Sequence, residues 1–162
     1  MVLVLMGVSG TGKTTIGKAL VAGLGWTFVE GDDFHPVANI EKLRAGTPLD
    51  DQDRWPWLQA LRKRVDQACE QRENLVLACS ALKRDYREYL ERNDPECVRY
   101  VYLHGSEDLI RSRLAERKGH FMNPTLLRSQ FETLEPPEGA LQVDVNPAPE
   151  AIAAEIRRKL GL

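Results

Sequence analysis

The chain has 162 residues, 43% of them hydrophobic and 28% charged, with a net charge of -2. That length suits one compact domain over residues 1–162, large enough to bury a core without staples. The slight negative balance argues against the basic footprint of a nucleic-acid protein, and no apolar run approaches the roughly 18 to 20 residues of a membrane span.

Val2-Leu3-Val4-Leu5-Met6 is a continuous apolar run, the pattern of a central parallel strand covered on both faces. It is too short for a signal-peptide core and leads directly into a glycine-rich segment. Lys13 to Leu24 follows with Ile16, Leu20 and Leu24 spaced by four, one stripe of a helix that Gly25 ends. Thr27 to Glu30 predicts a second strand. Trp57, Leu58, Leu61, Val65 and Ala68 stripe a longer helix with Pro56 in its first turn. Leu75 to Cys79 and Val98 to Leu103 predict two more strands, and a helix from Glu107 to Arg117 has Ser106 as its N-cap. Leu141 to Val145 forms the last strand, and Pro149 opens a closing helix striped by Ile152, Ile156 and Leu160.

Strands alternating with helices imply an α/β fold, a parallel sheet with helices on both faces. Ligands of such sheets bind beyond the carboxyl ends of the strands. Cys69, Cys79 and Cys97 are sparse, odd in number and without a C-x-x-C pair, which predicts reduced thiols and a cytoplasmic setting.

Gly7-Val8-Ser9-Gly10-Thr11-Gly12-Lys13-Thr14 fits the phosphate-loop pattern G-x-x-x-x-G-K-[ST] between a strand and a helix. Its glycines let backbone N–H groups turn inward around an anion, and the helix starting at Lys13 adds its positive end. Four fixed positions arise by chance in such a chain about one time in a few hundred. Residues Gly7 through Thr15 are therefore expected to bind ATP, with Lys13 on the β- and γ-phosphates and the Thr14 hydroxyl on Mg²⁺.

The strand Leu75 to Cys79 ends in Ser80-Ala81-Leu82-Lys83, without the metal-holding acid of many phosphate-loop proteins, and no N-K-x-D base-reading motif is present. An acid is available instead after the second strand, in Gly31-Asp32-Asp33-Phe34-His35-Pro36. Such a segment also makes an ordinary acidic turn. Beside a phosphate loop, however, Asp32 is placed to orient an acceptor hydroxyl and take its proton. Asp50, Asp51 and Asp53 suit the start of the next helix as caps, whereas Arg54 opposes the helix dipole and so calls for an anionic partner such as a substrate carboxylate. Arg113 and Arg117 share a helix face before Lys118-Gly119-His120-Phe121. They either complement the helix end or, with the segment around 117–125, form a lid over the γ-phosphate.

These blocks, with Asn39-Ile40-Glu41-Lys42-Leu43, Pro48-Leu49-Asp50-Asp51-Gln52-Asp53-Arg54, Cys79-Ser80-Ala81-Leu82-Lys83 and Gln130-Phe131-Glu132-Thr133-Leu134-Glu135, together resemble the gluconokinases. The match runs from residue 7 to about 136 in the family's order. The resemblance implies a kinase of the nucleoside-monophosphate-kinase type, near shikimate kinase in fold, that transfers the ATP γ-phosphate to the 6-hydroxyl of D-gluconate with Mg²⁺. It also implies a homodimer. It makes Asp32 the acceptor-hydroxyl base, and His35 and Arg54 sugar-acid contacts. Ser80 and Lys83 become groups of the pocket wall, Arg113 and Arg117 the nucleotide and lid arginines, and His120 and Gln130 further substrate-side candidates. Lys13, Asp32 and Arg117 are then the catalytic set. A shikimate-type kinase and a nucleotide-dependent switch stand as the alternatives.

Overall fold

In the computed structural model, which describes residues 1–116 and 124–162, five parallel strands form one sheet. They are β1 (Val2–Met6), β2 (Thr27–Glu30), β3 (Leu75–Ala78), β4 (Val98–His104) and β5 (Leu141–Asp144), in the spatial order β2-β3-β1-β4-β5. The helices are α1 (Lys13–Val21), α2 (Val37–Arg44), α3 (Asp51–Glu70), α4 (Arg84–Glu91), α5 (Glu107–Glu116), α6 (Pro124–Thr133) and α7 (Pro149–Leu160). A 3-10 turn, Gly31–Phe34, follows β2 directly.

Alternation along β1 builds a core on each side of the sheet. Val2, Val4 and Met6 pack with Trp57, Leu58, Leu61 and Val65 of α3 and with Tyr86 and Leu90 of α4. Leu3 and Leu5 face the other way, onto Ile16 and Leu20 of α1 and Ile152, Ala153 and Ile156 of α7. A third cluster joins the phosphate loop to α5 and α6 through Val8, Ile110, Leu114 and Leu127.

The structure corrects several expectations. The first helix ends at Val21, ahead of Leu24, because Gly23 turns into the left-handed region at φ 81°. The long helix α3 starts at Asp51, so Pro56 lies in its second turn. The early start has a local cause. Asp50 Oδ1 accepts from the Asp53 N–H at 2.8 Å while Asp53 Oδ2 accepts from the Asp50 N–H at 3.1 Å, a reciprocal cap. The third strand, β3, lies between the first two.

The expectation of three reduced thiols also fails. Cys69, at the end of α3, and Cys97, just ahead of β4, are joined in a disulfide with Cα atoms 5.9 Å apart. The two lie 28 residues apart with no motif around them, so only the tertiary fold brings them together. Cys79 is a free and fully buried thiol, whose pKa burial pushes up to about 12. No helix of the described residues is long and apolar enough to cross a membrane.

Candidate active site

The sheet's topology places the site. Chain progression reverses around β1, from β3 on one side to β4 on the other, and the loop after β1 opens at that crevice. The loop is held there by its neighbours. The Gly7 N–H donates to Ser80 O at 3.3 Å, continuing β3, and the Thr11 hydroxyl donates to Val8 O at 2.9 Å. Gly7 has φ 146°, and a Cβ there would stand 2.5 Å from Leu103 O, so the approach to β4 requires glycine. Gly12, at φ 86°, caps α1.

Lys13 Nζ bends back over the loop, donating to Gly7 O at 2.9 Å and Val8 O at 3.0 Å. This is the ammonium's position over the anion cradle. Beside the loop, a cavity of about 390 Å³ is lined by Thr15, Arg113, Glu116, Asn146, Pro147 and Ala148, among others. Its opening onto Gly10, Thr11 and Gly12 suits a nucleoside attached to the bound phosphates. Arg113 donates to Asn146 O at 3.4 Å across it.

The acidic side stands one strand away, yet it is tied to the loop. The Thr14 hydroxyl donates to Glu30 Oε2 at 2.5 Å, bridging from α1 over the end of β3 to the last residue of β2. Sequence reasoning passed over Glu30. Its signal was its place at a strand's carboxyl end, two residues before Asp32. Burial raises the Glu30 carboxyl, and the Asp32 charge adds to that, against the Thr14 hydrogen bond and Lys13. Gly31 packs so tightly on β3 that a Cβ would lie 2.4 Å from Ala78 O.

Beyond Gly31 the Asp32 side chain is 76% exposed, whereas that of His35 is only 8% exposed. The imidazole stacks on Trp57 with centroids 4.5 Å apart and planes 12° apart. Its Nε2 lies 3.8 Å from Asp32 Oδ1. Burial lowers the His35 pKa, Arg54 adds to the effect, and Asp32 opposes it, so the ring is neutral near pH 7. Trp57, read from sequence as a packing residue, is both buried core and the platform under His35. Its Nε1–H donates to Gly31 O at 2.8 Å, pinning the loop that carries Asp32.

Each acid at the start of α3 has a local partner. Asp50 and Asp53 cap one another, and Asp53 also pairs with Lys42 at 2.7 Å. Asp51 pairs with Lys83 at 2.9 Å and accepts a short hydrogen bond from the Tyr86 hydroxyl. Arg54 makes no ion pair with any described residue. Its guanidinium instead donates to the Tyr86 hydroxyl at 3.2 Å and lies 5.7 Å from that ring's centroid.

Gln130 stands apart from this group. Its side-chain amide grips Ser9, with Oε1 accepting from the Ser9 N–H at 2.7 Å and Nε2 donating to Ser9 Oγ at 3.1 Å, which sets it on the phosphate-loop side. Arg128 pairs with Glu132 on the exposed face of α6. Arg117 and His120 lie outside the described residues.

A phosphate cradle, a nucleoside-sized cavity, and a carboxylate with a guanidinium that has no ion pair among the described residues are the parts of a small-molecule kinase. Comparison with known proteins agrees. Residues 2–137 match the family described as "AAA domain". A probable gluconokinase of Xenopus tropicalis is 46% identical, with 96% of this chain and 91% of the relative aligned. Among solved structures, a gluconokinase from Sinorhizobium meliloti 1021 superposes with a TM-score of 0.85 at 43% identity, covering 98% of this chain and 94% of that one. An unliganded sugar kinase from Janibacter sp. HTCC2649 gives 0.92 at 39% identity, covering 99% and 94%. With that identity sustained over nearly its whole length, the chain belongs to the gluconokinase family of P-loop kinases.

Proposed function

We propose that the protein transfers the γ-phosphate of ATP to the 6-hydroxyl of D-gluconate, giving 6-phospho-D-gluconate and ADP. The observation that carries this reading is Arg54, a guanidinium without a carboxylate partner among the described residues. It adds to the field on His35, whose ring faces Asp32, next to a phosphate loop. A small polyhydroxylated acid needs a carboxylate clamp, short polar contacts and a base at its far hydroxyl, and these groups supply them. In this reading Ser80 and Lys83 complete the pocket wall.

In this reading the Asp32 carboxylate accepts the proton of the 6-hydroxyl as the O6–Pγ bond forms. The bond from Pγ to the bridging oxygen breaks, and its electron pair leaves with ADP. His35 Nε2 orients the acceptor side, and Gln130 holds Ser9 so that the loop's N–H groups stay aimed at the phosphates. Lys13 follows the charge onto the leaving β-phosphate, Arg117 adds positive charge at the γ-phosphate, and His120 contacts the sugar acid.

Mg²⁺ fits the oxygen donors present. The Thr14 hydroxyl spends its hydrogen on Glu30, leaving its lone pairs for a hard cation, with the Glu30 and Asp32 carboxylates close by. When bound, it would screen the phosphate charges. The need for ATP supports a cytoplasmic setting, and a homodimer is kept as the expectation of the family resemblance. The shikimate-type alternative is not favoured by the identity to gluconokinases. The test is ADP release with Mg-ATP against D-gluconate, shikimate, a nucleoside monophosphate and water. Gluconate alone should stimulate release, and a gluconate rate equal to that with water would refute the reading.

A further inference from the structure

Asn39 is a buried amide that the catalytic reading leaves unused. It lies in α2, is 3% exposed, and touches two elements of the acceptor side at once. Its side-chain nitrogen donates to Asp53 O at 2.8 Å and lies 3.2 Å from His35 Nδ1. A backbone carbonyl only accepts, so the Asn39 atom facing Asp53 O must be the nitrogen. That nitrogen has a second hydrogen, and Nδ1 stands within hydrogen-bond reach of it at 3.2 Å. A ring nitrogen that accepts carries no hydrogen of its own, so a neutral His35 must carry its hydrogen on Nε2, the atom facing Asp32.

We infer that Asn39 is a positioning residue that locks His35 in the Nε2–H tautomer, presenting that hydrogen to the acceptor side of the site beside Asp32. The opposite tautomer would set Nδ1–H against the Asn39 NH₂, donor to donor, inside a buried contact. The stack on Trp57 fixes the plane of the ring, and Asn39 fixes which edge carries the hydrogen. The same amide, through Asp53 O, ties this setting to the start of α3, where Arg54 sits in the next position. One side chain thus holds the histidine and the helix end bearing the guanidinium in register. This inference rests on the proposed reading only in taking that side of the crevice as the acceptor site.

The tautomer is measurable without any substrate. In the full chain with ring-¹⁵N-labelled histidine, long-range ¹H–¹⁵N correlations near neutral pH should show Nε2 protonated and Nδ1 bare for His35, its signals assigned by their loss in His35→Gln. Asn39→Asp places an acceptor at Nδ1 and should move the hydrogen to Nδ1. Asn39→Ala should give mixed tautomers and lower kcat/KM for gluconate about tenfold, the size of one lost neutral hydrogen bond, with the ATP KM within twofold of wild type. A wild-type ring with its hydrogen on Nδ1, or with both tautomers populated, would overturn the inference even if neither variant folds. So would a folded Asn39→Ala protein whose kcat/KM for gluconate stays within twofold of wild type. If gluconate is not the acceptor, gluconate-dependent turnover is missing from the wild type while the tautomer pattern is unchanged, which separates the two failures.

Discussion

Replacing Tyr86 by phenylalanine removes one buried oxygen and leaves the ring in place. That oxygen accepts from Arg54 at 3.2 Å and donates to the Asp51 carboxylate, both charge-assisted contacts. A hydrogen bond to a charged group contributes about 1.5–3 kcal/mol when fully desolvated. Here the Asp51 side chain is 53% exposed and keeps its pairing with Lys83, so the net stability loss should be nearer about 1–2 kcal/mol. For a chain of this size that lowers Tm by roughly 3–6 °C. The effect on binding should be larger and selective. Arg54 keeps its place over the ring but loses the contact that aims its fork, and misdirecting a bidentate clamp by about 1.5–2 kcal/mol raises the gluconate KM roughly 10- to 30-fold. The ATP KM should not move, since the hydrogen bonds lost with the Tyr86 hydroxyl run to Arg54 and Asp51. Steady-state ADP release with each substrate varied in turn, beside a thermal melt, reads both effects. A gluconate KM within twofold of wild type, together with the expected drop in Tm, would show that Tyr86 supports the fold without aiming Arg54.

Asp32→Asn should lower kcat at least a hundredfold with the ATP Kd unchanged, because the amide cannot take the acceptor proton; nucleotide titration and single-turnover kinetics check both halves. Reducing the Cys69–Cys97 disulfide should lower unfolding stability by up to about 3–4 kcal/mol, the loop-closure value for its 28-residue span. Urea melts with and without a thiol reductant measure this, and a Cys69→Ser protein should show no difference between them. His35 has a pKa below its ordinary 6.5 in the folded state, so the unfolded chain binds that proton more readily. Its contribution should be constant above pH 6.5 and turn destabilising as pH falls below that value, levelling off once the folded ring is also protonated. His35→Gln should flatten that part of the stability profile, and an unchanged profile would mean the ring is not held neutral by burial.

What was legible in the sequence was local. The phosphate loop, the strand before it and the Gly31–Asp32 turn each declare themselves through a few adjacent residues with a definite backbone or charge requirement. The strand order was not legible, because nothing in Leu75 to Cys79 says that it inserts between the first two strands. Glu30 escaped notice for the same reason, since its link to Thr14 exists only across that inserted strand. Trp57 read as core and Asn39 only as one residue of a block shared with the gluconokinases, and their contacts to His35 come from α2 and α3 converging on the 3-10 turn. Pro56 misled about the start of α3, because a reciprocal cap whose N-cap, Asp50, lies six residues earlier outweighs a proline in the second turn. The cysteine pair was invisible to spacing rules, which describe metal and redox motifs and not the end of a helix brought against the start of a strand.

The central claim is the identity of the acceptor hydroxyl. A ³¹P–¹H correlation spectrum of the products from Mg-ATP and D-gluconate reads it directly. The account predicts one new phosphomonoester coupled to the two C6 protons, formed in equal amount to ADP. ADP appearing without that signal, or a phosphorus coupled to any other carbon's proton, would contradict it.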